Sequence, residues 1–331
     1  MADQLPAGAH GGVLTFHVCG GLTNQRLALI DGIMLGALLH LAVVLPMLDA
    51  DGIELQSANR ASGPRQPLPF GELYSLEDTA RNLAPLVYLA GVANASSSAP
   101  LPCTACSPLR LTGSNQPLSW WEEQVNGSNS NDRVSLNVGC PLFALKKDDK
   151  WLQDLFWKVD AALVFAAPVI AAADRIVEQL HSRSSSRVFV MIHLRIELDW
   201  VLHCKRWEVV GTALPILLGQ HTKEFKDNCL TNTKQLGRTL SIEGVPPEHP
   251  IYVESDEPPE QRLVHSTLSE LPQGNLASLD REWKTLNEEA VHGLRLQYPL
   301  LLSRKTLAPE LVKRPREFRA AVACAIAQRA T

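Results

Sequence analysis

Four ionisable side chains follow an apolar run at residues 188–192, and their types and spacing suit binding or catalysis. The apolar run predicts a strand that is buried on both faces. Side chains alternate along a strand, so residues spaced two apart lie on one side if the strand continues. Charge at the carboxyl end of a buried parallel strand is typical of ligand sites in open α/β sheets. The alternative is a strand end that meets water and holds a local ion pair. The four side chains are His193, Arg195, Glu197 and Asp199.

A pair of glycines at residues 20–21 is the second feature that suits ligand binding. The pair follows a predicted strand at residues 12–18 and precedes a predicted helix at residues 24–40, for which Thr23 is the predicted N-cap. A strand at residues 41–45 completes a βαβ unit with parallel strands and a right-handed crossover. Glycines let a ligand approach the backbone closely, and a helix N-terminus attracts anions. Two glycines alone match neither the dinucleotide-binding fingerprint nor the Walker loop.

The remaining sequence predicts the elements that must support these two segments. Prolines and serines between residues 49 and 141 predict long loops. Residues 151–180 predict one or two helices interrupted near Pro168. A second short strand that ends in acidic residues is predicted at residues 251–256. The last predicted helix begins at Pro315 and has one apolar face, formed by Phe318, Val322 and Ile326.

Length and charge restrict the class of protein. A chain of 331 residues favours two domains, predicted at residues 11–182 and 187–331. A net charge of -4 and a pI near 6.2 argue against a general nucleic-acid or membrane-surface binder. No apolar run reaches about 18 residues, so no membrane span is expected. The first residues lack the basic and then apolar segments of a secretory signal.

The two suggestive segments together resemble the GDP-fucose protein O-fucosyltransferase family. Residues 20–46 read GGLTNQRLALIDGIMLGALLHLAVVLP, similar to the family's glycine-rich turn, Asn-Gln pair, long helix and proline-ended strand. Residues 188–200 read VFVMIHLRIELDW, similar to the family's strand that runs into His-Leu-Arg. The continuation to Cys204 resembles the branch that fucosylates epidermal-growth-factor-like repeats.

The resemblance implies an α/β fold of the GT-B type, in which two Rossmann-like lobes face one another across a cleft. Residues 11–182 are then the acceptor-side lobe, and residues 187–331 are the GDP-fucose side. It also implies an inverting, metal-independent transfer that needs no cofactor, with GDP-fucose as donor substrate and a protein or glycan as acceptor. The family resides in the endoplasmic reticulum or Golgi lumen, so the same compartment is expected here.

Site residues are transferred position by position from the two matching motifs. Arg195 matches the family's catalytic arginine, which meets the charge that develops on the departing diphosphate. His193 matches a histidine that contacts the donor, and Asp199 lies where the family has another nucleotide-sugar contact. Asn24 matches the asparagine whose loop lies over the donor. The backbone that approaches the donor is then formed by Gly21, Leu22 and Thr23.

Some residues depart from the family pattern. Thr23 stands where one branch has glycine, and Gly21 stands where that branch has arginine. The sequence ends at Thr331, before the position of the family's Asp-x-Phe-x-Gly-Asn loop, so the second lobe is expected to be incomplete. The alternative function is therefore a catalytically weak nucleotide-sugar binder, or an interaction remnant of the family.

Three short motifs have commoner structural explanations. Cys103 and Cys106 form the only Cys-x-x-Cys among seven cysteines, and a local disulfide or chance explains the pair better than a metal. The Asp-x-Asp at residues 49–51 is similar to the metal-binding motif of another glycosyltransferase class, but the following glycine favours an ordinary turn. Trp120 and Trp121 could stack a sugar, although a buried pair is the commoner arrangement.

Overall fold

A computed structural model describes residues 12–49, 67–93, 106–113, 115–127, 133–184, 187–193, 233–254 and 292–330. The chain divides into two compact units. The first comprises Met1–Ile170 and Pro315–Ala321, and the second comprises Ala171–Arg314 and Val322–Thr331. No helix in the described ranges is long and apolar enough to cross a membrane.

The first unit is built on a parallel sheet of five strands in the order β5-β2-β1-β7-β6. Two further short strands, β3 and β4, pair with each other in antiparallel orientation. The strands of this unit are β1 Val13–Phe16, β2 Ala42–Leu45, β3 Leu48–Asp49, β4 Pro67–Leu68, β5 Leu89–Val92, β6 Cys106–Leu111 and β7 Arg133–Val138. Its helices, of which the last continues into the second unit, are α1 Leu22–Leu38, α2 Leu76–Leu83, α3 Leu118–Asn126, α4 Lys150–Ala162 and α5 Ala167–His181.

The predicted βαβ unit is confirmed, because β1 and β2 pair in parallel and α1 connects them. Helix α1 is buried along most of its length, as its apolar sequence predicts. Two of its glycines allow the close packing: a Cβ atom on Gly32 would collide with the ring of Phe16, and one on Gly36 would collide with Val43. The helix therefore lies directly against the two strands that it connects.

The predicted ends of α1 are wrong by two residues. The helix begins at Leu22 with Gly21 as N-cap, so Thr23 is a helical residue and not the N-cap. The early start follows from the turn at Gly20, whose φ of +74° reverses the chain before Thr23 is reached. The helix ends at Leu38 because the chain turns again at His40, which has a φ of +53°.

The prediction of long loops between residues 49 and 141 is wrong, since three of the five sheet strands lie there. These strands are short, and β6 contains Pro108. Proline is tolerated in β6 because this strand lies at the edge of the sheet and pairs only with β7. The break near Pro168 is confirmed, because α4 ends at Ala162 and Pro168 lies in the first turn of α5.

The second unit contains a parallel sheet of three described strands in the order β10-β9-β8. The central strand β9 is buried throughout, which confirms the strand predicted near residue 251. Strand β8 is half-buried with an exposed end, so burial on both faces is not observed. Residues 292–297 are also helical. The elements, of which the last begins in the first unit, are β8 Val190–His193, α6 Thr233–Ile242, β9 Ile251–Glu254, β10 Leu301–Ser303, α7 Arg304–Leu307 and α8 Arg316–Ala327.

The last predicted helix is confirmed as α8, and its predicted apolar face is buried. The α/β class predicted for a GT-B glycosyltransferase is also confirmed, because each unit is built on a parallel sheet. The predicted lobe boundaries near residues 182–187 stay a prediction.

Candidate functional site

The glycine turn between β1 and α1 is the best-defined part of the predicted site. Gly20 has a φ of +74°, a conformation that L side chains rarely adopt. A Cβ atom added there would lie 2.8 Å from Nδ2 of Asn24. The side chain of Asn24 thus closes over the turn, and a larger residue at position 20 has neither the backbone freedom nor the space that glycine provides.

The N-terminus of α1 is open to an anion. Gly21 has no side chain to cap the helix, and the first turn contains no acidic residue. Thr23 and Asn24 are exposed, whereas Leu22 is buried and anchors the start of the helix. A helix N-terminus presents N–H groups and a positive dipole end, which together favour phosphate. This end of α1 therefore favours a bound anion, and its contact with the donor stays a prediction.

Gln25 fixes the turn to a neighbouring strand. Its buried side chain donates from Nε2 to the carbonyl oxygens of Gly20, at 3.0 Å, and Asp49, at 2.8 Å. Its Oε1 accepts a bond from the backbone N–H of Asp49 at 3.0 Å. Both the nitrogen and the oxygen of the carboxamide therefore form hydrogen bonds, and Asp49 contributes its backbone N–H and carbonyl groups to them. Residue 51, the second aspartate of the Asp-x-Asp motif, lies outside the described residues.

A disulfide joins the other side of the same turn to β7. Cys19, directly before the glycines, is bonded to Cys140, two residues after β7 ends. This pairing is not predicted by the sequence. The only available signal was an odd number of cysteines, and connectivity cannot be deduced from a count.

Arg26 lies in the first turn of α1 and anchors it to Asp160. Its Nε contacts Oδ1 of Asp160 at 2.8 Å, and its Nη2 donates to the carbonyl oxygen of Asp160 at 2.7 Å. The guanidinium also lies near the rings of Tyr74 and Phe165. Because it is engaged by these groups, Arg26 has a structural role.

The carboxyl edge of the second sheet holds a buried polar group. His193 is the exposed last residue of β8, in register with Glu254 at the end of β9. The carboxylate of Glu254 accepts a bond from Tyr252 Oη at 2.6 Å and forms an ion pair with Arg304. Burial, followed by the neighbouring Glu254 carboxylate, raises the pKa of Tyr252, so this hydroxyl remains a donor. Sequence analysis missed Arg304, the first residue of α7.

The structure brings together only part of the predicted site. Gly21, Leu22, Thr23 and Asn24 are consecutive at the start of α1, where Thr23 and Asn24 are exposed and Leu22 is buried. His193 ends a strand of the second unit, while Arg195 and Asp199 lie outside the described residues. Within the described ranges, no group of three or more His, Cys, Asp or Glu side chains could hold a metal ion. Trp121 is fully buried and packs edge-on against Trp120, which is half-buried, so only Trp121 belongs to the core.

Gln25→Glu is expected to destabilise the protein by about 1–3 kcal/mol, because an oxygen then faces the carbonyls of Gly20 and Asp49. Urea unfolding gives the free energy of unfolding. The matched control is Gln153→Glu, since Gln153 also donates to a carbonyl, that of Lys147, but is exposed. Equal unfolding free energies for both variants would contradict the role of Gln25.

Comparison with known proteins now decides the family. The family model described as O-FucT, GDP-fucose protein O-fucosyltransferase, matches residues 13–291. This chain belongs to that family. It is thus a glycosyltransferase of the O-fucosyltransferase type, and both segments singled out in the sequence lie inside the match. No curated protein matches the chain in sequence.

Solved structures of POFUT1 are similar to this O-fucosyltransferase chain. The complex with GDP-fucose in crystal form II is 12% identical, with coverage of 96% of this chain and 95% of that chain and a TM-score of 0.47. The apo form is 13% identical, with coverage of 78% and 83% and a TM-score of 0.46. The high-resolution GDP complex is 13% identical, with coverage of 95% and 94% and a TM-score of 0.43.

Proposed function

We propose that this chain transfers fucose from GDP-fucose to a serine or threonine hydroxyl of a protein. The observation that carries the proposal is the family match over residues 13–291, which contains the open N-terminus of α1. The transfer inverts the sugar configuration and uses no metal ion. GDP-fucose is the donor substrate.

Donor binding uses the glycine turn. The backbone of Gly21, Leu22 and Thr23 lies at the uncapped start of α1, where N–H groups and the helix dipole favour the diphosphate. Asn24 already lies over Gly20 and is exposed, so its carboxamide can contact the donor. The absence of acidic side chains from the first turn of α1 removes a source of repulsion for the anion.

In the proposed mechanism, the enzyme stabilises the leaving group. As the acceptor hydroxyl oxygen bonds to the anomeric carbon, its proton is released to water, the bond to GDP breaks and the electron pair of that bond passes to the diphosphate. Arg195 meets this charge with two parallel N–H donors, in the place that a metal ion takes in other transferases. Attack from the face opposite GDP inverts the configuration. His193 and Asp199 hold the nucleotide sugar in position for this displacement.

The compartment that fits this function is the secretory lumen. The Cys19–Cys140 disulfide supports it, because such bonds persist in oxidising compartments and are rare in the cytosol. Protease protection in sealed microsomes tests the assignment. Protection until detergent is added is expected for a luminal chain, and digestion of the chain in intact microsomes would contradict it.

Calorimetric titration with GDP and GDP-fucose, with and without a chelator, tests the donor assignment. We expect the chelator to leave the affinity for each ligand unchanged, because the diphosphate contacts come from the protein. Binding lost on chelation would favour a metal-dependent transferase that uses the Asp-x-Asp at residues 49–51. Absence of binding would favour an interaction remnant. Asn24→Ala should weaken the binding of both ligands, while the exposed control Asn126→Ala should leave their binding unchanged.

A further inference from the structure

The disulfide between Cys19 and Cys140 adjoins the turn proposed to bind the diphosphate. Cys19 immediately precedes Gly20, and the α-carbons of Cys19 and Cys140 are 5.8 Å apart. Cys140 follows Gly139, whose carbonyl accepts a bond from the backbone N–H of His17 at 3.1 Å. The covalent link therefore continues the β1–β7 pairing beyond the last paired residues of the two strands.

The turn is held from two opposite directions. Gln25 ties the carbonyl of Gly20 to the backbone of Asp49, at the end of β3. The disulfide ties the residue before Gly20 to the segment after β7. Between these two attachments lies Gly21, the N-cap of α1. Removing the disulfide frees the residue before Gly20 from the segment after β7, so the turn loses its covalent attachment on that side.

We propose that Cys19 and Cys140 are positioning residues for the donor: their disulfide orients the Gly20–Gly21 turn so that the start of α1 meets the diphosphate. This inference rests on the proposed function for the identity of the ligand. Its consequence is that the oxidised chain binds GDP more tightly than the reduced chain. Both cysteines are half-buried, so a small dithiol can reach the bond.

Dithiothreitol reduces the Cys19–Cys140 disulfide and so allows the oxidised and reduced chains to be compared. One thiolate of the reagent attacks a protein sulfur, which breaks the protein disulfide, expels one cysteine thiolate and forms a mixed disulfide. The second reagent thiolate then attacks the reagent sulfur of the mixed disulfide and expels the other cysteine thiolate. The protein gains two electrons and two protons as two thiols, and the reagent becomes a cyclic disulfide. No further reactant is required.

The test uses the full chain with Cys19→Ser, Cys140→Ser and the double variant, and measures Kd for GDP by calorimetry. We expect GDP affinity to fall about ten- to a hundredfold in all three, since this is the effect of losing a hydrogen bond to a charged group such as the diphosphate. Dithiothreitol should weaken GDP binding to the wild type and leave the double variant unchanged. The matched control is Cys324→Ser, whose half-buried thiol lies on α8. Wild-type affinity in the folded double variant would overturn the proposal.

A second readout separates this proposal from the assignment of the ligand. Hydrogen exchange of the backbone amides at residues 20–25 reports the order of the turn without any ligand. We expect faster exchange there after reduction of the folded wild type, with α8 unchanged. Unchanged exchange at the turn overturns the positioning role. Faster exchange in a chain that does not bind GDP would support the role of the disulfide while refuting the donor assignment.

Discussion

Arg195→Lys is expected to reduce fucose transfer by about a hundred- to a thousandfold while the protein remains folded. Loss of one preorganised donor to a developing charge typically has this effect on turnover. Lysine keeps the positive charge but cannot make the planar, two-pronged contact with the diphosphate. GDP affinity should fall less than turnover, because the arginine matters most once the bond is breaking.

Activity and melting temperature must be measured together on Arg195→Lys and Arg195→Ala. If Arg195 only pairs with Glu197, Asp199 or Asp256, both variants will melt at lower temperature and keep their activity per folded molecule. Full specific activity in a folded lysine variant would contradict the catalytic role. A wild type that binds GDP-fucose but transfers nothing would support the weakly active binder instead.

Arg304→Leu is expected to lower the free energy of unfolding by about 3–5 kcal/mol, because it removes the guanidinium that pairs with the buried Glu254 carboxylate. Both side chains are 5% exposed, so water cannot replace the lost partner. Denaturant unfolding of the variant measures the change. The exposed control is Arg81→Leu, whose pairs with Glu77 and Asp78 lie on the surface and should contribute little.

The double variant Arg304→Leu/Glu254→Gln should recover part of the stability lost in the single variant, since it removes both buried charges and keeps an acceptor for Tyr252 Oη. A double variant no more stable than the single one would show that the ion pair is not the cause.

Tyr252→Phe adds a test by pH. The raised pKa of Tyr252 means that its contribution to stability is present below about pH 10, the unfolded value, and is lost as pH rises further. The phenylalanine variant should therefore lose less stability in alkali.

The elements that the sequence predicted well are those with strong local patterns. The β1–α1–β2 unit follows from an apolar strand, a glycine turn and a long apolar helix in immediate succession. The buried face of α8 follows from apolar residues that recur at helical spacing. Strands β5, β6 and β7 were missed because they are short and interspersed with prolines and serines. Their formation depends on pairing with β1 and β2, which a local pattern cannot reveal.

The candidate site shows the same division. Gly21 to Asn24 are neighbours in sequence, so their place at the helix start could be predicted from local sequence alone. The supports of that helix start depend on distant partners: Gln25 bonds residue 49, and Cys19 bonds residue 140. The Glu254–Arg304 pair likewise joins residues 50 apart. Such pairs need the tertiary fold, because no local spacing brings the two partners together.

Fucose transfer to a protein acceptor tests the central claim most directly. The full chain, produced with its disulfide intact, is incubated with GDP-fucose, chelator and folded epidermal-growth-factor-like repeats. Mass spectrometry then follows the acceptor and the released GDP. We predict one fucose on a serine or threonine of the acceptor, with an equal amount of GDP and no effect of the chelator. An unmodified acceptor in the presence of bound GDP-fucose would contradict the proposed transfer to these repeats, and transfer abolished by the chelator would contradict the metal-independent mechanism.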